Sequence, residues 1–305
     1  MIKTINHHTS INEAILSLHP GDTLILENGI YNEKVEVNIP NIKICAKTKG
    51  QVIIRNKDYY HKIMSDHNEC NTFRTYTFYV GANYVTLEGL TILNDSVPSQ
   101  IYGQAVALHV DGSHFICQDC TIQSAQDTLF TGPMPDNLLE KYQGFHPKDH
   151  LKGTPSIQYY KDCKILGDVD FIFGGATALF ENCEIITIDR GSTTPSYICA
   201  PSHKQDLEFG YLFYKCSFVG SEPAYLARPW RDYGCAAFIL CTMDDHIHPL
   251  GYNKWNQTNR DKTARFYEYT LNCDLSQREP WSHQLTEQQA QEYVTAFLAF
   301  IDMKK

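Results

Sequence analysis

The sequence predicts an all-β solenoid, coil stacked on coil, with a short helix near each end. Three observations carry that prediction. A short apolar pattern closed by Asn or Asp and then Cys or Gly recurs along the chain. It reads YVTLEGLTILND (84–95), HFICQDCTIQSAQD (114–127), SIQYYKDCKILGDVDFIF (156–173), ALFENCEIITID (178–189) and YLFYKCSFVG (211–220). These segments are rich in Val, Ile, Thr, Phe and Tyr, the residues that suit a pleated, half-buried surface. Cys120, Cys163, Cys183 and Cys216 each follow a polar residue at the same point of the pattern. Small inward side chains repeated in register are what stacked coils require. A β-sandwich also gives many short strands, but it does not predict the recurring cysteine.

The elements follow in order. TSINEAILSLHPGD (9–22) reads as a capped amphipathic helix. Ile11, Ala14, Ile15 and Leu18 share one face, and Pro20-Gly21 stops it. The repeats fill the middle of the chain. LTEQQAQEYVTAFLAF (285–300) reads as a second helix, with Thr286 and Gln289 at capping-box spacing. Helices at both ends would cover the open edges of the stack. No Pro/Gly/Ser-rich linker divides the chain, so residues 1–305 read as one domain.

Composition excludes several classes. The 305 residues are 43% hydrophobic and 20% charged, with a net charge of −9. No Lys/Arg run is present, so no nucleic-acid face is expected. No stretch approaches the roughly 20 apolar residues of a membrane span, and no membrane partner is expected. The N-terminus lacks the apolar core of a signal peptide, which reads as a cytoplasmic location. Eleven cysteines, an odd number, read as reduced and mostly buried thiols. CQDC (117–120) has knuckle spacing but no second pair, and His246 and His248 stand alone, so no metal is expected.

Four polar clusters stand out: GQAVAL with Gln104, QDTLF with Gln126 and Asp127, GDVDFIFGG with Asp168 and Asp170, and LARPW with Arg228 and Trp230. Two carboxylates against apolar residues lose hydration, which needs a partner or a function to offset it. Taken singly, each residue suits a turn, a surface or simple packing. On adjacent coils of one face, they would supply the parts of a metal-free acyl-transfer site. The serine-esterase GxSxG elbow is not present in this chain.

In this order, QDTL, DFIFG and RPW resemble the signature motifs of the pectin methylesterases, a carbohydrate esterase family. The resemblance begins near SINEAI, GDTL and GIYNEKV and runs to RFYEY and the terminal helix. It implies a right-handed parallel β-helix, a methylated oligogalacturonide or pectin substrate, and no cofactor. It implies Asp170 as nucleophile, Asp127 as acid and then base, and Gln126 and Gln104 as oxyanion donors. Arg228 would pair with Asp170 and lower its pKa, driving the two carboxyls apart. Trp230, Phe173, Phe130 and Val169 would line the sugar cleft. A monomer is favoured.

Three departures from the family pattern matter. Ala227 stands where Gly precedes Arg-Pro-Trp, which could crowd the backbone near the site. Asp168 stands where Thr is common. Residues two apart in a strand face the same way, so Asp168 would add negative charge beside Asp170 and disfavour de-esterified sugars, or lie just outside the cleft. Asp127 and Asp170 are 43 residues apart, about twice the usual separation, because of the segment GPMPDNLLEKYQGFHPKDHLKGTP (132–155). It reads as a loop with a helical turn overhanging the cleft, either a solvated excursion or a wall that favours short oligomers. Other readings keep the site but change the ester, for example to a thioester, or make the chain a carbohydrate-binding solenoid. A calcium-dependent lyase lacks its acidic cluster.

Overall fold

The chain winds as a parallel β-helix in a computed structural model that describes residues 1–142 and 156–302. Each coil gives one strand to each of three parallel sheets. Phe78–Val80, Thr86–Glu88 and Thr91–Asn94 form one coil, and Leu108–Val110, Phe115–Gln118 and Thr121–Gln123 form the next. Pairing is between equivalent strands of successive coils, so Leu108 pairs with Phe78 on one side and Leu129 on the other. One sheet holds seven strands, from Val35–Val37 to Ala224–Ala227.

The recurring cysteine is explained by the corner between the other two sheets. Thr121, Lys164, Glu184, Ser217 and Thr242 lie in register, which stacks Cys120, Cys163, Cys183, Cys216 and Cys241 as one buried ladder. The residue before each cysteine turns the corner in the left-handed region: Asp119, Asp162, Asn182, Lys215 and Leu240 have φ between 52 and 57°. Asp and Asn tolerate that conformation best, hence the polar residue ahead of the thiol. Aromatic ladders fill the core beside it. Tyr160, Phe180, Phe213 and Phe238 stack with centroids 4.6–5.0 Å apart.

The two terminal helices differ from each other. Ile11–Ile15 is shorter than the pattern suggested, but Ile11, Ala14, Ile15 and Leu18 are all buried in the main core at the N-terminal end of the stack. Ser10 caps it by accepting from the Glu13 amide at 3.2 Å, and the Glu33 carboxylate accepts from the Ile11 and Asn12 amides. The C-terminal helix, Glu287–Asp302, has the expected capping box. Gln289 accepts from the Thr286 amide at 2.9 Å, and Thr286 Oγ1 accepts from the Gln289 amide at 3.3 Å. It does not cover the end of the stack. Ala290 and Phe297 pack on Leu179, Phe209, Leu212, Ala237 and Ile239, along the outside of a sheet. Outward apolar residues on three neighbouring coils give a two-turn apolar stripe more area there than a single terminal coil offers. Near the C-terminal end, Trp281 instead packs on Tyr252 and Phe266, beside the buried Arg278–Glu268 ion pair at 2.9 Å.

Candidate active site

The seven-stranded sheet carries the site on its outer face. Gln104, Gln126, Asp127, Asp170 and Arg228 come from four coils of different sequence position, and all five line one cleft of about 350 Å³. Gln104 and Gln126 form a parallel bridge just ahead of their strands, and the Asp127 amide donates to Val169 O at 3.0 Å. The two aspartates are held in left-handed backbone, with φ 65° at Asp127 and 49° at Asp170. Aspartate tolerates that conformation, as it does at the corners of the stack.

That conformation overturns the period-2 argument for Asp168. Strand Val169–Gly174 shifts register between Val169 and Ile172, so Asp170 is an extra residue bulging toward the cleft. Phe171 and Ile172 then both enter the core, and Phe173 returns to the outer face. Asp168 is buried away from the cleft lining. It accepts from Ser99 Oγ and from the Val169 amide. Gly174, with φ 128°, ends the bulge where any Cβ would sit 1.9 Å from Thr131 O.

Arg228 grips Asp170 with two hydrogen bonds, Nε to Oδ1 at 2.8 Å and Nη2 to Oδ2 at 2.6 Å. Its guanidinium lies between the Tyr197 ring at 3.7 Å and the Trp255 ring at 4.0 Å. Burial pushes the Asp127 carboxyl well above the usual carboxylate range, and the Asp170 charge adds to that rise. Burial also raises Asp170, and the Arg228 hydrogen bonds oppose it. The expected separation between the two carboxyls therefore stands, because Arg228 bonds one and not the other. The expected lowering of Asp170 does not, because desolvation outweighs the ion pair. Gln104 and Gln126 make no side-chain hydrogen bond among the described residues, so their amides are available to a ligand.

Trp230 and Phe173 line the cleft as expected, edge to face at 5.7 Å. Phe130 and Val169 do not. Phe130 is fully buried one coil earlier, behind Phe173 at 5.0 Å and under Phe73 at 5.1 Å. Val169 precedes the bulge, stays half-buried in its strand opposite Tyr197, and does not reach the cleft. Ala227 does not crowd the site either, since its methyl is buried in the inner core.

Several cleft residues were not singled out from the sequence. Tyr60, Phe73, Arg231 and Trp255 all line it. Trp255 had a usable signal: a large aromatic inside the polar, turn-forming stretch YNKWNQTN. Its φ of 68° is rare for a bulky residue, and its amide donates to Asn253 Oδ1. The first part of the insertion is also here. Asp136–Lys141 is a helix, longer than the one turn expected, with Leu139 and Met134 buried beside Phe130 and Phe173. Leu138 and Tyr142 form part of the cleft wall. The rest of the insertion, 143–155, lies outside the described residues. Among the described residues no group of three His, Cys, Asp or Glu side chains is placed to hold a metal ion.

Known proteins carry the same architecture. A family model described as Pectinesterase matches residues 3–134 and 141–302. Pectinesterase 31 of Arabidopsis thaliana is 30% identical over 305 residues, covering 94% of this chain and 87% of its own. The solved pectin methylesterase of Yersinia enterocolitica superposes with a TM-score of 0.76 at 25% identity, over 95% of this chain and 98% of that one. A pectin methylesterase solved in complex with a hexasaccharide superposes at 0.74 and 24% identity, over 93% and 91%. On the match across nearly its whole length, this chain belongs to the pectinesterase family.

Proposed function

We propose that the protein hydrolyses methyl esters of galacturonate residues in pectic chains, through an acyl-enzyme on Asp170. The observation that carries this reading is the pair of buried carboxyls in one cleft, of which Arg228 bonds only one. Asp170 attacks the ester carbonyl carbon, and the amides of Gln126 and Gln104 donate to the oxyanion that forms. The intermediate collapses, the C–O bond to methoxide breaks, and protonated Asp127 delivers its proton to the departing oxygen. Methanol leaves a galacturonyl anhydride on Asp170. Asp127, now a carboxylate, takes a proton from water as that water attacks the galacturonyl carbonyl, and Asp170 leaves as carboxylate. Protons and bonds balance over the two steps. No metal enters either of them.

The finer reading concerns the size of the substrate. The helix Asp136–Lys141 sets Leu138 and Tyr142 against the cleft. A wall there favours short methylated oligogalacturonides over long polymer. A cytoplasmic location suits such oligomers, and nine buried free thiols suit a reducing compartment. The test is methanol release from methylated pectin and from methylated tri- to hexagalacturonates side by side. Faster release from oligomers, by roughly tenfold in kcat/KM for a wall contact of about 1.4 kcal/mol, is expected. Equal or faster release from polymer removes the size argument and leaves the esterase reading in place. No release from any methylated galacturonate removes that reading.

A further inference from the structure

Gln104 and Gln126 are fixed to the Asp170 coil in different ways. Gln126 is flanked by backbone bonds to that coil: the Asp168 amide donates to Ala125 O and the Asp127 amide donates to Val169 O, both at 3.0 Å. Gln104 lies one coil further away. Its carbonyl accepts from the Tyr60 amide at 2.9 Å, and the Ala105 amide donates to Gln126 O at 3.0 Å. Ahead of it stands a one-turn helix, Ser99–Tyr102, which Gly103 joins to Gln104 with φ 68°. A helix this short does not hold its place by itself. Pro98 gives it no side-chain cap, Ile101 is exposed, and Ser99 is its one buried residue. Side chains anchor it. Tyr102 meets Tyr59 edge to face at 4.9 Å, Gln100 Nε2 donates to Arg190 O, and Ser99 Oγ donates to the Asp168 carboxylate.

Asp168 is 1% exposed, and its other oxygen accepts from the Val169 amide at 2.6 Å. Both donors are neutral, and the nearby Arg190 and Glu222 charges act on Asp168 in opposite directions. A carboxylate buried on such bonds costs more than a neutral side chain, which points to a role beyond filling space. It stands just before the bulge that carries Asp170. The Ser99–Asp168 bond therefore ties the strand of the nucleophile to the helix that leads into Gln104. We infer that Asp168 is a positioning residue: through Ser99 it sets where the Gln104 amide stands relative to the carbonyl that Asp170 attacks. The inference rests on the methyl-esterase reading, in which Gln104 donates to the oxyanion. Such a donor is effective when it is already aimed at the developing charge, and a small misplacement is costly. Gln126 keeps its backbone ties in either case, so loss of the bond weakens one donor of the two.

The test is a double-mutant cycle on methanol release from a methylated hexagalacturonate. Each protein is assayed at its own pH optimum, because the Asp168 charge also acts on Asp127. Ser99→Ala and Asp168→Ala should each lower kcat about tenfold, with KM within about twofold because Trp230 and Phe173 still line the cleft. Asp168→Asn should keep most of the wild-type kcat, since its oxygen can accept from Val169 and its NH2 group can donate to Ser99 Oγ. Gln104→Ala should lower kcat about 10²-fold. In that background Ser99→Ala should cost less than about twofold more, because the donor it positions is gone. Where Asp168→Ala does not fold, Ser99→Ala, which removes a single oxygen, carries the cycle. Equal losses from Ser99→Ala with and without Gln104, a loss carried in KM, or Asp168→Asn as slow as Ser99→Ala overturns the inference while methanol release continues. Gln104→Ala at the wild-type rate overturns Gln104 as donor and the inference with it. No methanol from the wild-type enzyme overturns the esterase reading itself.

Discussion

Asp170→Asn is expected to lower methanol release from methylated oligogalacturonides by roughly ten-thousand-fold or more, the scale seen when a nucleophile is removed. Asparagine keeps the size of the side chain and one oxygen to accept from Arg228, but it cannot form the anhydride. Asp170→Ala is the cruder variant. It leaves a buried Arg228 between Tyr197 and Trp255 with no counter-charge, which disturbs the site as well as the chemistry. Sugar binding, measured by titration of a de-esterified oligomer, should stay within a few-fold, because Trp230 and Phe173 remain. A carbohydrate-binding solenoid has no turnover to lose, so wild type and variant would then be alike in both assays. Methanol release by Asp170→Asn at the wild-type rate would remove Asp170 from the mechanism.

The second large effect is on pH dependence. In the proposed mechanism Asp127 is protonated when methanol departs, and its carboxyl is raised well above the ordinary carboxylate value by burial and by the Asp170 charge. In the same mechanism Asp170 is ionised when it attacks, and its smaller rise is limited by Arg228. The profile of kcat/KM should therefore be a bell lying above the ordinary carboxylate pKa of about 4. Its acid limb reports the Asp170–Arg228 pair and its alkaline limb reports Asp127. In Asp127→Asn the alkaline limb should vanish and kcat should fall by about 10²- to 10⁴-fold. Stability follows with a defined sign. A carboxyl whose folded pKa is raised contributes stability that is fully present below its unfolded pKa and is lost as pH rises through the folded pKa. Thermal melts of Asp127→Asn should therefore gain on wild type as pH rises through that window. A melting difference that stays constant with pH would show that Asp127 does not bear the raised pKa.

Much of this was legible before any coordinates. The β-helix followed from a repeat whose chemistry is local: an αL corner that favours Asp or Asn, then a small inward thiol. The capping box at Thr286 and Gln289 was legible because both partners lie within one turn. The five polar site residues suit turns, surface or packing when taken singly, and they were legible as a set because their motifs, in order, resemble those of one family. What failed depended on longer-range geometry. Alternation along a strand placed Asp168 beside Asp170, and one bulged residue cancelled it. Phe130 shares a ladder with Phe173, but Phe73, more than 50 residues earlier, covers it. The side of the stack taken by the C-terminal helix depends on outward residues of three coils that nothing in its own sequence names. Trp255, Tyr197 and Arg231 reach the site from loops and neighbouring strands, and only the folded coil shows which rings hold Arg228.

The central claim is an acyl-enzyme on Asp170 whose breakdown needs Asp127. An activated aryl ester of galacturonate tests it most directly in Asp127→Asn. Its leaving group needs no proton, so the first step proceeds, while attack by water lacks its base. The account predicts a burst of one aryl alcohol per site, followed by slow turnover. Mass spectrometry after acid quench should then find the galacturonyl group on the peptide that contains Asp170. An adduct on another side chain, or steady turnover with no burst and no adduct, would contradict it.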